Sequence, residues 1–580
     1  MSVNTNPEKF QQALYQKKAE IRSITNVLNC YCREYATPKQ QVIINPTFGR
    51  QDWPEAFNIS LNKGSDQFLL LLLPESQSRL IVRVKDLKRL GQCRYTSAPY
   101  LKTLGNGWIK LSHNSLVQKL LKHLAIALKQ PFNDELYQQI QNSLKNSQKF
   151  LLHRLSENKA KDAQQQLQND GFIHSEQALL WGHAWHPSPK SREGIEWQEL
   201  SALSPEVGAN FQLTYLAVKE HLLEAINCEH FNGIRELQKL LKVNVPAGYV
   251  LMPCHPYQFA RFKNNTLFVE AINQGVIIDL GNQGGNWYPT SSVRTLYNQG
   301  FNYFIKFSLH VRLTNCIRKN AWYELESAIF LTKVIDKFKA KHEDPFPAFN
   351  LMREPGSVTL NLATLFSKQK SSFSAKDNQE IGEAFGLLFR SSFNEKILNE
   401  QQPRVSAAIF ADDENFSSAI TPYVNALAST KQLSFNDTAL LWFHHYITAL
   451  LTPVLYYFFK LGLIFEPHLQ NTVIGFHQHL PSNIHLRDLE GTKLIDTLWS
   501  QHELTSLSER AKQSIHYSRS QGWRRIAYCL FINNTSEAIF HLSASSKSQE
   551  NKMWQLVREN LIEYQFNFGE EPELQDLLAG

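Results

Sequence analysis

The run DTALLWFHHYITALLTPVLYYFFKLGL, Asp437 to Leu463, constrains the fold more than any other stretch. Its most lipid-like part, Tyr446 to Phe459, is 14 residues long, contains Pro453 and is flanked by His445 and Lys460. A bilayer span takes about 20 apolar residues, so this part is too short to cross one. A helix apolar on nearly every face has to be wrapped by other elements. The spacing therefore predicts one long buried core helix with Gly462 near its C-terminus. No membrane association is expected.

The chain has 580 residues, more than one core usually serves, which leads to an expectation of about two to four packed domains. Hydrophobic residues make up 43% and charged residues 19%, a globular balance and not a disordered one. The net charge of +7 permits anionic ligands without calling for nucleic acid. The densest basic run, Lys85 to Arg94, reads as a solvated face. The seven cysteines are scattered, and Cys30 and Cys32 form C-x-C on an apolar helical run. Reduced, mostly buried thiols in a cytoplasmic protein are the expectation. The start, MSVNTNPEKFQQALYQKK, has no apolar stretch of signal-peptide type.

The texture of the chain changes twice. Residues 1–165 read as a mainly helical part with a small sheet, in which FLLLLLP and SRLIVRVKDL bracket the turn-like PESQ. Residues 166–375 are rich in short strands and in loops of Gly, Pro and Asn. Within them, FNYFIKFSLHVRLT (301–314) alternates like one sheet strand, and residues 321–338 read as a helix. A polar stretch at 367–380 marks the second boundary, and residues 376–580 return to helices around the core run.

Four stretches carry candidate chemistry. WGHAWHPSPKSREGI (181–195) strings His183, His186, Lys190 and Arg192 between glycines. His-x-x-His could give two metal ligands, but no cysteine lies close enough to complete a zinc site. The cations could instead grip phosphate or carboxylate. The residues alone leave an anion cradle and a solvent-exposed loop both open. PTSSVRTL (289–296) holds Ser292, Arg294 and Thr295, and on a strand Ser292 and Arg294 would share a face. It is not a P-loop. In KFSLHVRLTNCIRKN (306–320), Lys306, Ser308, His310 and Arg312 share one parity, predicting a cationic face opposite an apolar one. Finally, Glu466, His468 and Asn471 of FEPHLQN precede Asp488 of HLRDLEG; Glu466, Asn471 and Asp488 are oxygen ligands of the kind Mg²⁺ takes alongside phosphates.

Together these stretches resemble the IucA/IucC family of nonribosomal-peptide-synthetase-independent siderophore synthetases. The family's Gly-His-Pro-x-His-Pro-x-x-Lys-x-Arg-x-Gly reads Gly182-His183-Ala184-Trp185-His186-Pro187-Ser188-Pro189-Lys190-Ser191-Arg192-Glu193-Gly194, with only the first proline replaced, by Ala184. Its His-Pro-Trp-Gln, Ser-x-Arg-Thr, Lys with Thr-x-x-x-Arg, and Glu-x-His-x-Gln-Asn elements fall in order. They are His255-Pro256-Tyr257-Gln258, Ser292-Val293-Arg294-Thr295, Lys306 with Thr314 to Arg318, and Glu466-Pro467-His468-Leu469-Gln470-Asn471, with Arg487-Asp488 beyond.

The resemblance implies an α+β fold forming a three-part cradle of thumb (1–165), fingers (166–375) and a distantly kinase-like palm (376–580). It implies an ATP- and Mg²⁺-dependent ligase that adenylates a carboxylate, usually citrate or a citryl derivative, and passes the acyl group to an amine or polyamine. It assigns ATP to His183, Lys190, Arg192, Ser292, Arg294, Thr295, Lys306 and Arg318. It assigns the carboxylate to His468, Asn471 and Arg318, and Mg²⁺ to Glu466 and Asp488, with His468, Arg318 and Lys306 catalytic. Many relatives are dimers, so a homodimer is compatible with it. Two other readings stand beside this one: condensation of a citryl-monoamide with a second amine, and a silent binding protein for nucleotides or siderophore precursors. A kinase-like phosphotransferase would want HRD and DFG elements, which the chain lacks.

Overall fold

The computed structural model describes residues 7–47, 52–57, 67–157, 171–241, 243–313, 316–365 and 373–579. The helical reading of 158–165, the boundary near 165, Thr314 and the polar residues 367–372 lie outside these.

The first part packs helices Pro7–Tyr31, His113–Leu128 and Asp134–Glu157 with a six-stranded antiparallel sheet. Gln67–Leu73 pairs with Ser78–Lys85, Leu70 opposite Ile81. The unbroken apolar run of the first strand has a simple cause: both faces are covered. Leu69, Leu71 and Leu73 join one core, while Phe68 and Leu70 join another with Trp53 and Phe57. Beneath the helices, Ser23 Oγ lies 2.7 Å from Nε2 of buried His113. Burial pushes that imidazole down from 6.5 to about 4. A folded-state value below the unfolded one means that this stability is complete above the unfolded value and is lost as pH falls through the folded one. The shift is worth on the order of 3 kcal/mol. Urea unfolding near neutral pH and near the folded-state value should show this acid loss in the wild type and a shallower loss in His113→Gln. Equal slopes would contradict it.

The middle part is built on eight antiparallel strands in the order Tyr249–Cys254, Phe211–Lys219, Ile277–Pro289, Thr295–Tyr297, Tyr303–Phe307, Leu387–Ser391, Gly356–Leu360 and Leu223–Asn227. The predicted single strand at 301–314 is two strands in two sheets. Tyr303–Phe307 stays in the large sheet, and Leu309–Leu313 turns into a small one with Cys316–Arg318 and Arg192–Glu193. The break falls at Ser308, whose Oγ donates to Glu383 O at 2.6 Å and accepts Asn320 N at 2.9 Å. The predicted cationic face does not form. Lys306 points into a cavity, His310 packs edge-on to Phe262, and Arg312 pairs with Glu193 and Glu135.

The last part wraps helix Phe435–Leu461, which packs against Lys547–Phe568. Ser434 caps its start and Gly462, at φ 65°, ends it by donating to Phe458 O. At 27 residues it is long and apolar enough for a membrane span, yet Trp442, Tyr446, Leu450, Val454 and Phe458 are fully buried by protein. A sheet of Phe349–Leu351, Leu480–Leu486, Thr472–His477 and Arg404–Val405 lies beside it and carries the late motif residues. The described cysteines are free thiols.

Candidate active site

A cavity of about 550 Å³ lies where the three parts meet. Every candidate site residue lines it: His183, Lys190, Arg192, Ser292, Arg294, Thr295, Lys306, Arg318, Glu466, His468, Asn471 and Asp488.

The 181–194 loop is shaped by Gly182 and Gly194, at φ 69° and 81°. A Cβ on Gly182 would stand 2.9 Å from the Pro189 ring. His183 Nδ1 accepts the Trp185 amide and His186 Nδ1 accepts the Ser188 amide, each at 3.1 Å. Both rings therefore brace the loop's own backbone. Enclosure, helped by nearby His468 and His186, holds His183 below its ordinary value and neutral. Lys190 and Arg192 are buried and share one carboxylate, Glu206, at 2.6 and 3.2 Å. Burial and Arg192 push Lys190 down to about 8 against the pull of Glu206.

Ser292 and Arg294 do not lie on a strand. Residues 290–294 form a tight turn between Ile277–Pro289 and Thr295–Tyr297, closed by Val293 N to Thr290 O at 2.8 Å. Val293 has φ 68°, a left-handed conformation that a β-branched residue resists. Buried Glu176 anchors the turn, accepting from Ser291 N at 3.0 Å and Ser291 Oγ at 2.7 Å, and it pairs with buried Arg487. Arg294 then reaches Asn320 Oδ1 at 2.6 Å and Glu490 at 3.3 Å. Strand register sets Lys306 directly opposite Thr295.

Lys306 Nζ meets Asp488 Oδ1 at 2.6 Å and Glu490 Oε2 at 2.7 Å. Arg390 bridges Asp488 Oδ1, at 2.8 Å, and Glu354, at 2.6 Å. Burial alone would raise Asp488, but Lys306 and Arg390 outweigh it and hold the carboxyl well below the usual carboxylate range. Glu354, with no exposure, is raised by burial against the pull of Arg390. Asp488 itself sits at φ 83°, strained backbone at the cavity wall. Glu466 Oε1 pairs with Arg525 at 2.7 Å. The second oxygens of the two carboxylates both lie beside Gly491: a Cβ there would stand 2.6 Å from Glu466 Oε2 and 3.5 Å from Asp488 Oδ2. Among the described residues no group of three or more His, Cys, Asp or Glu gathers round one point. Two carboxylate oxygens beside one glycine still suit Mg²⁺, which takes most of its shell from phosphate and water.

His468 lines the cavity on the 465–471 loop, which folds on itself through His468 N to Glu466 O at 2.8 Å and Asn471 Nδ2 to Glu466 O at 3.2 Å. Burial lowers His468, so it stands neutral. Sequence reasoning missed Glu176, Glu206, Glu354, Arg390, Glu490 and Arg525. Only Glu490 was within reach, two residues beyond Asp488.

The fold and cavity define a mixed α+β protein built around a cleft lined by paired cations and carboxylates. Residues 171–411 match the IucA / IucC family. Over that stretch the chain is similar to that family. Residues 440–579 match the ferric iron reductase FhuF-like transporter family. The L-2,3-diaminopropanoate–citrate ligase of Staphylococcus aureus is 30% identical over 403 residues, 68% of this chain and 66% of that one. The N(2)-citryl-N(6)-acetyl-N(6)-hydroxylysine synthase of Vibrio mimicus is 30% identical over 67% of this chain and 65% of that one. The matches thus span just under two thirds of these relatives' length. The ATP-bound aerobactin synthetase IucA of Klebsiella pneumoniae shares the fold, with TM-score 0.78 at 23% identity over 94% of this chain and 92% of that one.

Proposed function

We propose that the protein is an ATP-dependent ligase that adenylates citrate and condenses it with an amine. The observation that carries this reading is that Arg294, Lys306, Arg318 and Arg390 line one cavity together with the carboxylates of Glu466 and Asp488. The two relatives, one named a citrate ligase and one a citryl-product synthase, support it. The three-part division into thumb, fingers and palm, with boundaries near 165 and 375, belongs to the same proposal.

Citrate and ATP repel each other, so joining them needs cations already in place. Arg294, Lys306 and Arg318 would hold the phosphates, backed by Ser292 and Thr295. Lys190, Arg192 and His183 would close over the nucleotide. Glu466 and Asp488 would hold Mg²⁺, which, when bound, offsets phosphate charge. A citrate carboxylate oxygen attacks the α-phosphorus, and the bond to the β-phosphate oxygen breaks, releasing pyrophosphate. The amine nitrogen then attacks the acyl carbon. AMP leaves with the bridging oxygen, and one N–H proton is released. No protein nucleophile is required, because adenylation itself supplies the leaving group. Proximity does the rest, bringing the amine to the adenylate before water.

Neutral His468 and Asn471 line the same cavity and in this reading would meet citrate beside the α-phosphate. His468→Ala is expected to lower adenylation by about 10²-fold, on the scale of one positioned polar group, without changing the unfolding midpoint. A wild-type rate in that variant would remove His468 from the mechanism. Phosphorus NMR of the spent reaction should show AMP and pyrophosphate. ADP would point to phosphoryl transfer instead.

A further inference from the structure

The cavity continues past His468 and His183 to an end that adenylation does not use. Arg22, Gln92, Arg94, Asp412, Glu537 and His541 line it. Arg94 meets both oxygens of Asp412 at 2.8 Å, and Arg22 reaches the same carboxylate at 3.3 Å. Glu537, 4% exposed, accepts the indole N–H of Trp185 at 2.5 Å. Trp185 belongs to the 181–194 loop, so this end is tied to the nucleotide end by one short segment. Arg22 Nε and Gln92 Oε1 are buried without a hydrogen-bond partner, leaving one donor and one acceptor unused beside the cavity.

The carboxylates here are not in surplus. Arg22 and Arg94 face Asp412 and Glu537, Arg33 stacks on Trp185 beside them, burial raises the Glu537 carboxyl, and burial pushes His541 down to about 4, leaving it neutral. A polyamine, with two or more ammonium groups and no anion, would want a surplus of carboxylates, which these walls lack. An amine that also carries a carboxylate fits both signs, with its anion toward Arg22 and Arg94 and its nitrogen toward Glu537 and the amide carbonyl of Gln92.

We propose that this end is the acceptor subsite and that it takes an amino acid with a free amine in preference to a bare polyamine. The inference rests on the ligase reading above. The test uses the full chain with ATP, Mg²⁺ and citrate, offering L-2,3-diaminopropanoate, L-ornithine, L-lysine, putrescine and spermidine as acceptors. ATP–pyrophosphate exchange with citrate alone is followed in parallel. One amino acid should exceed both polyamines in kcat/KM by about tenfold or more, the scale of one lost charge contact. Arg94→Gln should raise that acceptor's KM about tenfold further than it raises the KM of citrate in exchange. Glu537→Gln should raise the KM of every amine. If Arg94→Gln fails to fold with Asp412 left bare, Gln92→Leu reads the same split. A preference for putrescine or spermidine, no condensation with any amino acid, or an Arg94→Gln effect equal on citrate and acceptor would overturn the proposal while exchange persists. Absence of exchange both with citrate and with a preformed citryl-amide would overturn the ligase reading, and this one with it.

Discussion

Lys306→Met lowers citrate-dependent pyrophosphate release by about two to three orders of magnitude, a loss of roughly 3–4 kcal/mol of transition-state stabilisation. Lys306 is 4% exposed and holds Asp488 and Glu490 together at 2.6 and 2.7 Å. It is the point where the strand Tyr303–Phe307 and the loop that holds Asp488 and Glu490 are joined by charge. Methionine keeps the volume and removes the ammonium. Two carboxylates then face each other with Arg294 and Arg390 as their remaining cations. The ATP phosphates would meet a wall poorer by one positive charge. Lys306→Arg should recover only part of the rate, because a planar fork does not replace a point charge at this spacing. Initial rates of pyrophosphate release, with unfolding curves as a fold control, decide it. A rate within a few-fold of wild type would remove Lys306 from the phosphate site.

Glu176→Ala destabilises the protein by about 3–5 kcal/mol, because it strands a buried guanidinium. Glu176 pairs with Arg487 through both of its oxygens and also takes the amide and hydroxyl of Ser291. The side chains are 0% and 4% exposed. The double variant Glu176→Leu with Arg487→Met removes both charges and should regain most of the loss. Urea denaturation of the two variants measures the difference. A double variant no more stable than Glu176→Ala would show that the pair itself is not the source. The Ser291 turn carries Arg294, so the single variant should also raise the KM for ATP.

Much of the fold was legible because its causes are local. The core helix announced itself by an apolar run with Gly462 near its end, and Gly462 does end it; the Ser434 cap came only with the structure. The paired strands at 67–85 were legible for the same reason, a tight turn between two apolar runs. The middle strands were harder. Nothing in FNYFIKFSLHVRLT signals a change of sheet at Ser308, since the groups that hold the break, Glu383 and Asn320, come later in the chain. PTSSVRTL looked extended because valine resists the left-handed backbone that Val293 adopts here. The turn is enforced by Glu176, more than a hundred residues away.

The candidate site shows the same division. Its cations stand in ordered motifs and could be found along the chain. Their counter-charges could not. Glu206, Glu354 and Glu176 are single acidic residues in ordinary-looking segments, and only the fold brings them to Lys190, Arg390 and Arg487. The acceptor end was invisible for this reason. Its walls come from the first helix, the strand hairpin near 92–94, residue 412 and the helix at 536–542.

The most direct test of the central claim is ATP–pyrophosphate exchange by the full chain with Mg²⁺ and citrate, with no amine present. The account predicts exchange that depends on citrate and stops when citrate is withheld. Folded protein that binds ATP yet exchanges no pyrophosphate with citrate or with a preformed citryl-amide would contradict it.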